Sequence, residues 1–127
     1  NNETCLCNDY PVTLRKPPPL DQCFLLTTDP KRPGREHSQE GWDRLVSATG
    51  QYRSWGDYFG YTLLVSGTAD IMTDPILNLW DIAALLPVIR GAGAVATDWY
   101  GKEPDGSTGL VAAHPEIHDS VIGLLNP

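Results

Sequence analysis

Short apolar runs and amphipathic stretches succeed one another along the chain, and their periods predict strands and helices in turn. Residues 23–28 (CFLLTT) form a continuous apolar run of strand length, and residues 12–15 read as a shorter strand. Between them, Lys16-Pro17-Pro18-Pro19 favours polyproline II. Residues 29–39 mix Pro, Gly and charge without a period and read as a loop. From residue 40 the pattern sharpens. Residues 40–48 place Trp42, Leu45 and Val46 on one helical face. Residues 51–54 read as a short strand, and residues 58–66 as an apolar helical stretch stopped by Gly67. Residues 69–73 (ADIMT) read as a strand that ends at Asp74-Pro75. The clearest helix covers residues 79–90, with Asn78 as N-cap, Asp81 in the first turn, and Leu79, Ile82, Ala83, Leu86 and Ile89 along one stripe. Pro87 predicts a kink in it, and Gly91 and Gly93 its end. A strand at 94–98, a Gly/Pro-rich hairpin-like loop at 101–109, a strand at 110–113 and a helix at 115–125 opened by Pro115 complete the pattern. Strands alternating with helices predict an α/β fold with at least part of its sheet parallel.

Composition narrows the function more than the fold. The 127 residues suit a single domain. Nine basic against sixteen acidic residues give a net charge of −7. Such a field repels phosphate and argues against nucleic acid or an anionic membrane as a partner. It leaves room for a metal-assisted phosphate site, because a divalent cation inverts the local charge. No apolar run reaches membrane length and no secretory signal is visible, so the Asn2-Glu3-Thr4 sequon carries little weight. Three cysteines are odd in number and too few for a disulfide scaffold, which predicts a reducing cytoplasm. The opening NNETCLCNDYPV reads like the middle of a longer protein.

The candidate chemistry centres on residues 74–81. Asp74 ends a predicted strand and Asp81 opens a predicted helix, where the macrodipole favours a carboxylate. α/β folds place ligands where strand ends face helix starts, and Asp81 there suits a hard cation such as Mg²⁺. From spacing alone, however, a capping role for Asp81 and a turn role for Asp74-Pro75 are the stronger readings.

A resemblance now enters. Trp80-Asp81-Ile82-Ala83-Ala84, continuing to Arg90-Gly91-Ala92-Gly93, resembles the second signature of the inositol monophosphatase superfamily. Its flanks, Gly56-Asp57-Tyr58-Phe59-Gly60-Tyr61, Ser66-Gly67-Thr68-Ala69-Asp70, Ala94-Val95-Ala96-Thr97-Asp98-Trp99 and Leu25-Leu26-Thr27-Thr28, are similar to the histidinol-phosphate phosphatase-like branch. The resemblance implies the C-terminal half of a layered αβαβα fold, with a mixed, mostly parallel sheet flanked by helices. It implies a Mg²⁺-dependent phosphomonoesterase in which two or three metal ions activate the attacking water. Asp81 falls on a metal-ligating, catalytic position, Asp74 on the position contacting the alcohol part of the substrate, and Arg53, Gly56, Asp57 and Tyr58 on the substrate side, near the subunit interface. Asp at 74 and Gly-Asp at 56–57 point to an aminated alcohol such as histidinol phosphate rather than inositol.

One departure qualifies these implications. The family's other metal ligands, a Glu and an Asp-Pro-x-Asp-Gly-Thr/Ser motif, are absent. Glu103-Pro104-Asp105-Gly106-Ser107 is one residue short, follows the Trp-Asp helix and reads as a turn. The chain is therefore expected to be the C-terminal half of a phosphatase and to be inactive alone; the alternative is a truncated, non-catalytic interaction or structural domain. An apolar face left open by the missing half predicts a homo-oligomer or association with that half. Cys5, Cys7, Cys23, His114 and His118 match no zinc spacing, and His114 and His118 read as surface or capping residues. No nucleophile elbow or phosphate-binding glycine loop is present, and Lys31, Arg32 and Arg35 read as a solvated basic cluster.

Overall fold

The computed structural model describes residues 4–127; the first two residues of the Asn2-Glu3-Thr4 sequon lie outside them. Two strands, β1 (Leu6–Cys7) and β2 (Tyr10–Pro11), form a small antiparallel hairpin. Its turn residues Asn8 and Asp9 have φ of 50° and 68°, a conformation these two side chains tolerate well. The strand expected at 12–15 is absent. That segment is instead held by side chains and single bonds: Thr13 Oγ1 and Leu14 N–H both donate to Ala92 O, and Arg15 pairs with Asp70.

The main sheet is built from β3 (Phe24–Thr27), β4 (Gln51–Ser54), β5 (Ile71–Asp74), β6 (Val95–Thr97) and β7 (Leu110–Ala113), in the order β4-β3-β5-β7-β6. β3 lies parallel to both β4 and β5, whereas β5–β7 and β6–β7 are antiparallel. The sheet is mixed, as expected, but its parallel share is half rather than a majority. The reason is the connection of β6 to β7, which is a loop and not a crossover helix. Buried Asp98 organises that loop by accepting the N–H groups of Tyr100 and Lys102 and the hydroxyl of Thr108.

Helices cover both faces. α2 (Gln39–Ala48) and α5 (Pro115–Leu125) lie on one, α3 (Asp57–Val65) and α4 (Leu79–Gly91) on the other. Strand alternation divides the core accordingly. Leu25, Ile71, Val111 and Ala113 pack with Trp42, Leu45, Trp99, Val121 and Leu125, while Leu26, Met72, Leu110 and Ala112 pack with Tyr61, Leu64, Leu85 and Ile89. The predicted loop at 29–39 contains a short helix, α1 (Arg32–Glu36), with Pro33 near its start. Ser38 caps α2 by accepting the Gly41 N–H, and His114 Nδ1 caps α5 by accepting the Glu116 N–H.

α3 and α4 end alike. After α3, Thr68 N–H reaches Leu63 O and Gly67 N–H reaches Leu64 O; after α4, Ala94 N–H reaches Ile89 O and Gly93 N–H reaches Arg90 O. These are Schellman closures, and they need the positive φ of Gly67 (84°) and Gly93 (96°). Pro87 sits inside α4 without ending it. The expected stripe on α4 is corrected: Ile82, Leu85 and Ile89 are buried and Leu86 is half-buried, but Leu79 and Ala83 face solvent. Asn78 occupies the N-cap position, yet its side chain makes no capping bond.

Candidate active site

The carboxyl ends of the parallel strands and the first turns of α3 and α4 meet around one pocket of about 300 Å³. Thr28, Asp57, Tyr58, Tyr61, Asp74, Ile76, Leu77, Asp81 and Leu85 line it. The register explains the convergence. Thr27 pairs with Thr73, so Thr28 and Asp74 follow side by side at the ends of adjacent strands.

Of the pocket's three acids Asp74 is the most enclosed, 3 % exposed. Its Oδ1 accepts the hydroxyl of Thr28 and its Oδ2 that of Tyr61 at 2.8 Å. Burial pushes its carboxyl up to about 6; the two hydroxyls oppose the rise, and the charges of Asp57 and Asp81 add to it. Tyr61 is itself held far above the usual phenol range, first by burial and then by Asp74. Asp81, in the first turn of α4, accepts the phenol proton of Tyr58 at 2.9 Å, which in turn raises the Tyr58 phenol. Asp57 opens α3 with φ of 54°, a left-handed value that Asp adopts more readily than most residues. Its N–H donates to Thr28 Oγ1 at 3.3 Å. Just before it, Gly56 lies directly against Thr28, whose Cγ2 stands 2.6 Å from where a Cβ would be.

Of the residues expected at the site, Asp57, Tyr58, Asp74 and Asp81 line the pocket and Gly56 backs onto it through Thr28. Arg53 does not reach it: exposed on the edge strand β4, its guanidinium donates to Tyr52 O. Thr28 and Tyr61 also line the pocket and bond Asp74, and sequence reasoning did not single them out. The available signal was the need of a strand-end acid for donors, since hydroxyls on the adjacent strand and facing helix are the cheapest suppliers. A second pocket of about 350 Å³ adjoins across Thr28, Asp74 and Ile76 and brings in Asp29, Arg32 and Pro75. Here Arg32 is paired loosely with Asp29 and Glu36 rather than free in solvent. His37 anchors this wall: Nε2–H donates to Pro75 O at 2.9 Å, Nδ1 accepts from Tyr100 at 3.2 Å, and the ring stacks on Trp99.

No cation lines the first pocket, so three carboxylates face one cavity. Among the described residues, though, no group of three or more His, Cys, Asp or Glu side chains is placed to hold a metal ion. Both Asp74 oxygens already accept hydroxyls, which leaves Asp57 and Asp81 as the pocket's remaining carboxylates, and two carboxylates do not by themselves fill the octahedral shell of Mg²⁺. The other candidates resolve as structure. Glu103 ties its loop to Arg90. Asp105 accepts from Ser107 N–H and Oγ, which holds its carboxyl below the usual range, and so forms the expected turn. His118 is buried against Thr97 rather than on the surface, and burial lowers its pKa.

Residues 1–126 match the model of the inositol monophosphatase family. The chain belongs to that family. Among relatives, histidinol-phosphatase of Chlorobaculum parvum is 35% identical over 85 residues, 65% of this chain and 32% of that protein. The chloroplastic bifunctional phosphatase of Arabidopsis thaliana is 33% identical over 102 residues, 80% of this chain and 29% of that one. An inositol monophosphatase structure from Zymomonas mobilis superposes with a TM-score of 0.85 at 25% identity, over 94% of this chain and 48% of that one. The chain thus spans about half of the solved inositol monophosphatase and about a third of these two sequence relatives.

Proposed function

We propose that this chain forms the alcohol-facing half of an active site that hydrolyses a small phosphate monoester, in a Mg²⁺-dependent phosphatase of the histidinol-phosphatase type. The observation that carries the reading is the convergence of Asp57, Asp74 and Asp81 on one pocket in a member of the inositol monophosphatase family. Three carboxylates repel a phosphate dianion, so positive charge must accompany the substrate. Mg²⁺, when bound, neutralises phosphate charge and acidifies a water, and of its ligands this chain offers Asp81. The remaining residues act on the alcohol. Asp74 attracts a cationic group, and Ile76, Leu77 and Leu85 form an apolar wall that keeps water from screening that attraction. Tyr58 holds Asp81, and Gly56 lets the turn before α3 lie on Thr28. Arg53, outside the pocket, is assigned to the subunit boundary. Leu79 and Trp80, the latter 73 % exposed, flank Asp81 and support a face covered by a further copy or by the rest of a longer protein. The three free thiols support a reducing cytoplasm as its compartment.

The lack of three converging metal ligands among the described residues favours a second reading, a domain that binds without catalysing. Phosphate release from histidinol phosphate distinguishes the two. The isolated 127-residue chain is expected to be inactive with Mg²⁺, while a longer protein carrying it turns over and loses roughly 100-fold or more in kcat on Asp81→Asn. Robust Mg²⁺-dependent release by the isolated chain, or unchanged turnover in Asp81→Asn, overturns the assignment.

A further inference from the structure

Asp74 is an acid in an unfavourable place. Burial and the neighbouring charges of Asp57 and Asp81 both favour its neutral form, and a protonated Asp74 no longer attracts a cation. Two hydroxyls work against that outcome, one on each carboxylate oxygen, and they come from two different elements: Thr28 at the end of β3 and Tyr61 on α3. The direction of the Thr28 bond is fixed by its other partner. The Asp57 amide can only donate, so it takes a lone pair of Thr28 Oγ1 and leaves the Thr28 proton for Asp74. Both donors are held mechanically. Tyr61 is fully buried in the core, and Thr28 is wedged against Gly56.

We propose that Thr28 and Tyr61 are positioning residues that keep Asp74 an oriented anion, and that they thereby set a preference for phosphate esters of aminated alcohols over those of neutral polyols. The substrate half of this statement rests on the phosphatase reading; the anionic state of Asp74 does not. The charged and titratable groups around Asp74 are Asp57, Tyr58 and Tyr61 of α3, Asp81 of α4, Asp29 and Arg32 across the second pocket, and His37 on Pro75 O. Of these only Tyr61 donates directly to one of its oxygens, and Thr28, which does not titrate, donates to the other, which is why these two control it.

The test is a ¹³C-carboxyl NMR titration of the chain. In the wild type, Asp74 is expected to titrate near 6. Thr28→Val keeps the shape wedged against Gly56 but removes the donor, and Tyr61→Phe removes the other donor while keeping the ring. Each is expected to move the midpoint above neutrality, and Thr28→Ser to restore it. An unmoved midpoint in Tyr61→Phe, or in Thr28→Val where that variant folds, overturns the proposal. A second readout uses a longer protein carrying the chain. There, Thr28→Val is expected to lower the ratio of kcat/KM for histidinol phosphate over inositol monophosphate about tenfold, through KM, with Thr28→Ser close to wild type. An unchanged ratio overturns the specificity claim. Inactivity of the wild type on both esters overturns the phosphatase reading instead, and the titration still decides the role of the two hydroxyls.

Discussion

Asp74→Asn is expected to make the chain more stable at neutral pH while weakening its site. The carboxyl moves from an ordinary 3.8 to about 6 on folding. At 1.36 kcal/mol for each pH unit, this difference of about two units is worth about 3 kcal/mol. Its sign follows from proton binding. Between these two values the native state holds a proton that the unfolded chain has released, so unfolding free energy falls as pH rises. The favourable contribution is complete below about pH 4 and lost above about pH 6. An amide is neutral throughout and removes this loss. It also pairs less well, because Nδ2 must donate to a hydroxyl oxygen where the carboxylate accepted, which brings the expected gain at pH 7.5 to about 1–3 kcal/mol. Urea unfolding at pH 4.5 and pH 7.5, followed by tryptophan fluorescence, reads it as the difference between variant and wild type, so the other carboxylates cancel. Parallel pH profiles for the two proteins would refute the burial and the ionisation argued for Asp74. A stabilised variant that binds a cationic ester poorly is the trade expected of a strained functional acid.

Two further expectations concern the scaffold. Gly56→Ala brings a Cβ to 2.6 Å from Thr28 Cγ2 and is expected to cost about 1–3 kcal/mol, with partial recovery in combination with Thr28→Ser; an additive double-mutant cycle in urea unfolding would refute the contact. Arg15→Ala leaves Asp70, whose side chain is 1% exposed, without its two-pronged partner at 2.8 and 2.6 Å. Since Arg15 is half-exposed, water replaces part of the interaction, and the expected loss is about 2–3 kcal/mol; a change below about 0.5 kcal/mol in urea unfolding would count against it.

The local grammar of the chain was legible to the residue in places. Gln51–Ser54, Leu110–Ala113 and Pro115–Leu125 stand where the pattern predicts them. The stops at Gly67 and Gly93 depend on contacts within six residues, and sequence windows capture such contacts. So do the turn at Asp105 and the helix-start position of Asp81. The ordered motifs around Trp80-Asp81 carried the family, and with it four of the pocket's residues. Among the local expectations that failed, two show where periodicity runs out. Helices α3 and α4 are apolar around much of their circumference, so the pattern could not say which face docks, and Leu79 and Ala83 were assigned to the wrong one. The loop assigned to 29–39 hid a five-residue helix too short for any periodicity to show.

What the sequence could not decide is set by pairings between distant residues. Thr28 and Asp74 are 46 positions apart, as are Phe24 and Asp70, and Arg15 and Asp70 are 55 apart. No local window contains both partners. Strand order brought β3 beside β5, and that adjacency supplied Asp74 with the Thr28 hydroxyl, while the packing of α3 supplied that of Tyr61; Arg53, on the edge strand β4, stays outside the pocket. By itself the sequence determined most of the strands and helices of the main sheet and its layers, where several of them stop, and which acids stand at their ends, because propensity, capping and turn chemistry act over a few residues. Only the tertiary structure decided which of those acids is buried, who donates to it and how its charge is held, because burial and hydrogen bonding are properties of the neighbours that folding provides.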